Sequence, residues 1–293
     1  MAKEENYYVK FNGGLGNQMF QWAYARSLGF AKEKKILFDM SFFSKNYSRP
    51  FELGVFGINP PKVTNILTKL KLAFLWKFRK KMNKKSFCGI TLYSEPHVEF
   101  DQGLFELEPN TYIEGFFQSQ IYFGLIKDFI SADFRFKNPP SGINKEFADK
   151  IANCNSVSLH IRRGDYVEKK RYQNMFAQCS LDYYRHAVDY IAERCQNPTI
   201  FVFSDDINWV RENLKLPYEC VYVSHNSGKN SYEDMRLMSL CDHNIIANSS
   251  FSWWGAWLNK NPYKIVIAPQ WWYNDKSIVQ TDIIPQEWVR MEN

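Results

Sequence analysis

The sequence predicts an α/β protein made of two domains, each with a mostly parallel sheet. Short apolar runs alternate with segments of helical length along most of the 293 residues, and strands separated by such helices imply parallel βαβ units. A turn with three glycines follows the first predicted strand, as in nucleotide-binding α/β domains. We therefore expect two Rossmann-like domains that face each other across a cleft.

The domain boundary is expected at the most linker-like segment of the chain, Pro139-Pro140-Ser141-Gly142. This boundary gives an N-terminal domain over residues 1–140 and a C-terminal domain over residues 141–293. The C-terminal tail is free to pack back on the first domain.

The first domain opens with a β–loop–α–β pattern. The turn before its first helix contains Gly13, Gly14 and Gly16, but the complete G-x-G-x-x-G spacing of dinucleotide sites is absent. This turn alone therefore does not identify a nucleotide site. The predicted elements are a strand at 7–11, a helix at 17–31, a strand at 36–39, a strand from residue 112 that leads into a loop at 115–118, and a helix at 119–130.

A basic and apolar segment occupies residues 62–85. It carries nine lysines or arginines together with leucines and phenylalanines, which predicts a helix or a pair of helices. In the simpler interpretation, its apolar side packs on the first domain. In the alternative, it makes peripheral contact with an anionic membrane, where each cation adds up to about 1 kcal/mol. One basic helix is weak support for nucleic-acid binding, and we expect no nucleic-acid partner.

The second domain continues the alternation of strands and helices. The lengths of its helices again favour parallel βαβ units. Predicted strands lie at 156–162, 199–204, 219–223, 243–247 and 264–268, and predicted helices at 181–195, 206–214, 231–240 and 252–258.

Polar residues stand where three strands of the second domain end. Ligands of open α/β sheets bind beyond these carboxyl ends, so we expect the three segments to converge on one ligand. Guanidinium forks suit a diphosphate, and a helix that begins with serines offers backbone amides to an anion. The segments are His160-Ile161-Arg162-Arg163-Gly164-Asp165, Ser204-Asp205-Asp206 and Asn248-Ser249-Ser250-Phe251-Ser252.

These segments resemble the α-1,2-fucosyltransferase family. The run from His160 to Asp165 matches the His-x-Arg-Arg-x-Asp motif of fucosyltransferases that use GDP-fucose, and the run from Asn248 to Trp257 is similar to the family's C-terminal motif. The three motifs occur in the family's order, from about residue 8 to about residue 270. The motif that comes first in the chain, near the N-terminus, is Gly13-Gly14-Leu15-Gly16-Asn17-Gln18-Met19-Phe20-Gln21.

The resemblance implies a GT-B glycosyltransferase that moves L-fucose from GDP-β-L-fucose to the 2-hydroxyl of an acceptor, with inversion. The expected acceptor is a β-galactose in an oligosaccharide or glycolipid. Arg162 is expected to stabilise the charge on the leaving phosphate, helped by Arg163, while Asn17 reaches the donor from the first domain. The expected donor-binding residues are Gly14, Gly16, His160, Arg162, Arg163, Asp165, Ser204, Asp205, Asp206, Asn248, Ser249, Ser250, Phe251 and Ser252.

Several of these residues also have a purely structural explanation. Arg163 and Asp165 can form an exposed ion pair of little energetic value. Ser204 or Asp205 can cap the helix that follows, and a carboxylate there can instead accept hydrogen bonds from guanine. Asn17 can cap the first helix.

A general base near the acceptor hydroxyl would suit an inverting reaction. Asp39 and Glu114 are the favoured candidates, because each stands at or near the end of a predicted strand of the first domain. The other candidates are Glu95, Glu99 and Asp101. A reaction without a carboxylate base is the alternative.

We expect no metal or other cofactor. The chain contains no D-x-D sequence, and its five histidines lack ligand spacing. Six scattered cysteines without a C-x-x-C pair, no membrane-spanning run and no N-terminal signal core predict a bacterial-type cytoplasmic protein. A peripheral position at the inner membrane face is the alternative.

The main alternative from another class is a glycan-binding protein without turnover, which would use the 17% aromatic content. It leaves the paired arginines unexplained. A nicotinamide oxidoreductase is disfavoured by the incomplete glycine pattern.

Overall fold

The computed structural model describes residues 5–44, 49–81, 85–164 and 170–293. The chain divides into two compact units, Met1–Lys137 and Asn138–Asn293. The division falls directly before Pro139-Pro140, close to the boundary that the sequence predicts. Each unit has its own sheet, which is mostly or entirely parallel, so the α/β class with two Rossmann-like units is confirmed.

The sheet of the first unit has the order β2-β1-β5-β4-β3 and is parallel except for β3. A hairpin, β3–β4, was not predicted; its turn places Cys88 at φ 49° and Gly89 at φ 79°. The bounds are β1 Tyr7–Lys10, α1 Leu15–Lys32, β2 Ile36–Asp39, α2 Ile66–Phe78, β3 Ser86–Phe87, β4 Ile90–Ser94, β5 Thr111–Glu114 and α3 Lys127–Asp133, with 3-10 helices at Ser41–Ser44, Leu53–Phe56, Gln102–Phe105 and Gln120–Ile126.

Helix α1 begins two residues earlier than predicted, because Gly14 occupies its N-cap position. Its buried face packs on the sheet, where all four residues of β1 are buried. Two glutamines of α1 hold the loops around it. Gln18 donates to the carbonyl oxygens of Gly13 and Pro50, both at 2.9 Å, and Gln21 donates to that of Gly115 at 3.0 Å.

The sheet of the second unit has the order β11-β10-β9-β6-β7-β8 and is entirely parallel. Its C-terminal strand is the edge strand β11, so the tail completes this sheet, whereas the sequence left it free to return to the first unit. The bounds are α4 Ile143–Ala152, β6 Ser156–Ile161, α5 Lys170–Met175, α6 Leu181–Ala192, β7 Thr199–Ser204, α7 Ile207–Asn213, β8 Cys220–Val223, α8 Tyr232–Leu240, β9 His243–Ile245, α9 Ser250–Leu258, β10 Val266–Pro269 and β11 Val289–Met291, with a 3-10 helix at Gly228–Asn230.

Helices cover both faces of this second sheet. One core cluster joins α6 and α7 to residues such as Val157 and Val202, and another joins α8 to Phe201 and Phe203. Because side chains alternate along a strand, the near-continuous apolar run of β7 serves both clusters. Within the described residues, no helix combines the length and apolarity needed to cross a membrane.

Candidate functional site

The register of the second sheet brings two of the predicted polar segments side by side. Strand β6 lies between β9 and β7, and Ile161 of β6 is paired with Ser204 of β7. Arg162 therefore follows its strand next to Asp205. A guanidinium nitrogen of Arg162 lies 2.7 Å from Asp205 Oδ2, and the backbone amide of Arg163 donates to Asp205 Oδ1 at 2.8 Å. One carboxylate thus anchors both arginines.

The side chain of Arg163 is held between a carboxylate and an aromatic ring. Its Nε lies 3.4 Å from Asp206 Oδ2, and its guanidinium lies 3.3 Å from the centroid of the Trp209 ring. A cation over a tryptophan face is attracted by the ring quadrupole. Trp209 was not predicted, although an aromatic residue three positions after Asp206 in the neighbouring strand–helix turn could have signalled it. Asp165 lies outside the described residues.

The turns that follow β6 and β7 lie close together, which explains why Gly164 follows the two arginines. A Cβ atom at Gly164 would collide with Asp205 Oδ2. Any larger residue must displace the carboxylate that pairs with Arg162. The glycine is therefore required by contact rather than by its backbone angles.

His160 is buried and neutral at pH 7. Burial lowers its pKa to about 4, opposed by the charge of Asp205 and reinforced by that of Arg162. Its buried Nδ1 has no hydrogen-bond partner among the described residues. A neutral imidazole in this position can exchange one hydrogen bond with a ligand without adding charge.

The residues that follow β7 have two different roles: one caps the next helix, and another positions the arginines. Asp206 is the N-cap of α7 and accepts from the Trp209 amide at 3.3 Å. The Ser204 hydroxyl accepts from the Asp206 amide at 3.0 Å. Asp206 is thus the helix cap, while both oxygens of Asp205 bind the two arginines.

The segment after β9 contributes one aromatic contact and a helix terminus. The Phe251 ring lies 6.1 Å from the His160 ring. Ser249 is the N-cap residue of α9, yet its side chain makes no capping hydrogen bond to the described residues. Its hydroxyl and the first amides of α9 can therefore meet an anion.

Two side chains of this segment that were expected to bind the donor substrate instead make hydrogen bonds within the protein. The buried Asn248 side chain donates to the carbonyl oxygens of Ala177 and Trp272, so it fastens two loops. The Ser252 hydroxyl is buried and donates to the Ser249 carbonyl at 3.3 Å. These contacts give both side chains a structural role, as is usual for buried polar groups.

A small pocket lies beside the arginines. It has a volume of about 210 Å³ and is lined by Arg162, Arg163, Tyr184 and Trp209 among others. Pockets that enclose small ligands usually measure about 300–1,000 Å³. This pocket can therefore hold only part of a nucleotide sugar.

In the first unit, Asn17 lies within the first turn of α1 and does not cap the helix. Its Oδ1 accepts from Gln118 Nε2 at 2.8 Å. A Cβ at Gly13 would come within 2.7 Å of Asn17 Nδ2, so the glycine turn is packed against this side chain. Gly16 is buried in the same turn, whereas Gly14 remains partly exposed.

Glu95 organises the loop that carries Gln118. Its carboxylate accepts from the backbone amides of Phe116 and Phe117 at 2.7 and 3.0 Å. Phe117 adopts φ 53°, which is costly for a non-glycine residue. Burial raises the pKa of Glu95 to about 7, opposed by these amide hydrogen bonds.

The two favoured base candidates differ in their surroundings. Asp39 is buried and accepts from the Tyr112 hydroxyl at 2.6 Å and the Ser41 amide at 2.9 Å. Glu114 accepts from the Trp76 indole at 3.3 Å, and its buried Oε2 has no hydrogen-bond partner among the described residues. Glu114 Oε1 also lies 3.7 Å from Arg79 Nε, so Oε2 is the oxygen of this carboxylate that is left to accept a hydrogen bond.

The contacts of Asp101 are structural. Asp101 caps the 3-10 helix Gln102–Phe105 and accepts from the Tyr93 hydroxyl at 2.6 Å. Within the described ranges, no group of three His, Cys, Asp or Glu side chains is arranged to hold a metal ion.

Comparison with known families decides the class of the protein. A family model described as glycosyl transferase family 11 matches residues 91–292. The chain belongs to this family. The resemblance of its motifs to α-1,2-fucosyltransferases is confirmed.

Two relatives of this family 11 glycosyltransferase align with nearly the whole chain, and a third aligns with part of it. It is 34% identical to alpha-1,2-colitosyltransferase of Escherichia coli, over 97% of this chain and 98% of the relative. It is 33% identical to the O-antigen biosynthesis glycosyltransferase WbnK of Escherichia coli, over 94% and 98%. A shorter match links it to galactoside alpha-(1,2)-fucosyltransferase 1 of Saimiri boliviensis boliviensis, at 29% identity over 35% of this chain and 28% of the relative.

Among solved structures, NodZ alpha-1,6-fucosyltransferase soaked with GDP-fucose aligns with 87% of this chain and 93% of its own, with a TM-score of 0.45 and 13% identity. The family membership rests on the sequence matches and not on this alignment.

Proposed function

We propose that this family 11 glycosyltransferase moves L-fucose from GDP-β-L-fucose to the 2-hydroxyl of a galactose-containing acceptor, with inversion. The observation that carries this proposal is the pair of arginines at the carboxyl end of β6, both anchored by Asp205. Two ordered guanidinium groups at that edge of the sheet suit a diphosphate leaving group. The similarity to an α-1,2-fucosyltransferase supports the donor and linkage.

The chemical step is a displacement at the anomeric carbon. The acceptor oxygen forms a bond to that carbon as the bond to the β-phosphate oxygen breaks, and GDP departs with the electron pair. Arg162 and Arg163 stabilise the charge that develops on the phosphate. Because Asp205, Asp206 and Trp209 already hold these side chains, little reorganisation is needed at the moment of reaction.

The neutral His160 and the first amides of α9 complete the donor side of this proposal. The Nδ1 of His160, which has no hydrogen-bond partner among the described residues, supplies one hydrogen bond to the nucleotide. The amino end of α9 adds a positive potential for the diphosphate. The arginines replace a metal ion in neutralising charge, so the reaction proceeds without one.

We propose that Glu114 is the general base that accepts the proton of the acceptor hydroxyl. The support is its Oε2, which lacks a hydrogen-bond partner among the described residues. Asp39 is assigned a structural role, since both of its oxygens accept hydrogen bonds.

The test is turnover of GDP-fucose with lactose as acceptor, followed by release of GDP and by NMR of the product. An α-1,2-linked fucosyl product supports the proposal. Binding of lactose without GDP release would support the non-catalytic glycan-binding alternative. A second candidate donor is activated colitose, because the chain is similar to a colitosyltransferase over nearly its full length. Faster turnover of GDP-colitose than of GDP-fucose would identify colitose as the preferred donor sugar.

We also propose a cytoplasmic location. Its support is that all six cysteines are free thiols, as in proteins of reducing compartments. Fractionation of native cells would test it.

A further inference from the structure

Helix α2 has two apolar sides, of which one is buried in the core of the first unit and the other is largely exposed. Leu72 and Leu75 are buried in a cluster with Tyr8, Leu92 and Tyr112. On the opposite side, the exposed fractions are 65% for Ile66, 64% for Leu67, 60% for Leu70 and 38% for Phe74. These four residues form the exposed stripe of α2.

The spacing of the exposed stripe makes it a continuous surface. Leu67, Leu70 and Phe74 follow one another at three and four residues, which places them on one face of a helix. Scattered apolar side chains are ordinary on protein surfaces, but a contiguous patch of large ones marks an interaction site. Packing on the first unit, the simpler explanation of this segment, accounts for Leu72 and Leu75, and the Phe74 ring also stacks on that of Phe87 at 4.2 Å. It leaves Ile66, Leu67 and Leu70 unexplained.

The charge around the stripe is of one sign. Residues 62–85 contain nine lysines or arginines and no acidic residue, while the whole chain has a net charge of +6. The rest of the chain therefore sums to −3, and the positive surplus lies entirely in this segment. Exposed lysines flank the stripe on α2 and just beyond its ends, at Lys62, Lys69, Lys77, Lys80 and Lys81.

We propose that α2 docks on an anionic lipid bilayer. Lipid is the partner that matches both halves of the surface, because acyl chains receive the exposed stripe while anionic headgroups receive the flanking lysines. A nucleic acid would satisfy the lysines and leave the large apolar side chains against phosphates and water. A helix of 13 residues is about 20 Å long, which is short for spanning a bilayer and adequate for lying in its surface.

Vesicle flotation tests this proposal with the full chain. Wild-type protein should float with vesicles enriched in phosphatidylglycerol, stay in solution with pure phosphatidylcholine, and dissociate as salt is raised. At about fivefold in affinity for each cation near the surface, Lys69→Glu/Lys77→Glu should weaken binding at least about 25-fold. Leu67→Ser/Leu70→Ser should weaken it at least about tenfold.

Two matched control variants separate this surface from general effects. Leu125→Ser changes a leucine that is 98% exposed outside α2, and Lys229→Glu changes an exposed lysine of the second unit. Both should float like wild type. Circular dichroism and GDP binding check that every variant is folded.

Several outcomes would overturn the proposal. These are absence of flotation with anionic vesicles, flotation that the α2 variants leave unchanged, and binding of α2 to a DNA duplex without vesicle binding. A dimer in solution that Leu67→Ser/Leu70→Ser dissociates would assign the stripe to a second copy of the chain. Each of these results is independent of turnover with a soluble acceptor, so the proposed function is tested separately.

Discussion

Glu95 should make the protein more stable in mild acid than at pH 8. Burial raises its pKa to about 7 from an ordinary value of 4.5, with the amides of Phe116 and Phe117 and the charge of His97 opposing the rise and Asp101 adding to it. A group whose pKa is raised on folding stabilises the fold below its unfolded pKa. That contribution is lost as pH rises through the folded pKa. The stabilising contribution of Glu95 is therefore complete below about pH 4.5 and is lost between about pH 4.5 and about pH 7.

The magnitude follows from the two pKa values. At 1.36 kcal/mol for each pKa unit, the rise from 4.5 to about 7 corresponds to at most about 3 kcal/mol, since the residue is partly exposed. About 2 kcal/mol of this difference lies between pH 5.5 and pH 8.

Urea unfolding of wild type and Glu95→Gln at these two pH values measures the effect. The variant keeps the shape of the side chain and cannot ionise. From the lower to the higher pH, the free energy of unfolding of wild type should fall by about 2 kcal/mol relative to the variant. Glu106→Gln, at an exposed position of the same unit, controls for the loss of one negative charge. A wild-type-to-variant difference that is equal at both pH values would refute the reasoning.

Four further predictions concern the proposed reaction. Arg162→Ala should weaken GDP binding about 10–100-fold by calorimetry, because a charge-assisted contact is lost, and Arg162→Lys should not restore it. Gly164→Ala should lower kcat/KM about 100-fold by displacing Asp205. Glu114→Gln should lower kcat about 10²–10⁴-fold. Asp39→Asn should stay within about tenfold, because its amide oxygen can still accept from the Ser41 amide and its NH2 group can donate to the Tyr112 hydroxyl oxygen. EDTA should leave the initial rate unchanged.

Each of these predictions has an outcome that contradicts it. Unchanged GDP affinity in Arg162→Ala would remove that residue from the donor site, and wild-type rates in Gly164→Ala would show that the turn tolerates a methyl group. Near-normal kcat in Glu114→Gln would exclude it as the base. A loss of rate in EDTA that Mn²⁺ restores would reveal a metal requirement. Glu106→Gln serves as the control for general effects of carboxylate loss on activity.

Local patterns determined the α/β class and the order of most elements. Apolar periodicity and strand-ending polar residues depend on a few neighbouring positions, so the strands β6, β7 and β9 and the helices α6 and α7 were predicted within a few residues. The helices α4 and α5 and the edge strand β11 were not predicted. The hairpin Ser86–Ser94 was missed because its strands are short and its turn uses positive φ at Cys88 as well as Gly89.

The partners of the predicted side chains depended on contacts between distant segments. The sequence offered Asp165 as a neighbour for an arginine, whereas the β6–β7 register pairs Arg162 with Asp205. The same register makes Gly164 necessary. Asn248 and Ser252 belong to the recognised motif, but burial turns their polar atoms toward backbone carbonyls.

The sequence by itself determined that residues 62–85 are basic and rich in apolar side chains, and that polar residues end three strands of the second unit. Only the tertiary structure decided that Leu72 and Leu75 are buried while Leu67 and Leu70 are exposed, and that Glu95 has a raised pKa. Composition and periodicity are properties of neighbouring residues, whereas burial and ion pairing depend on which distant surface each side chain meets.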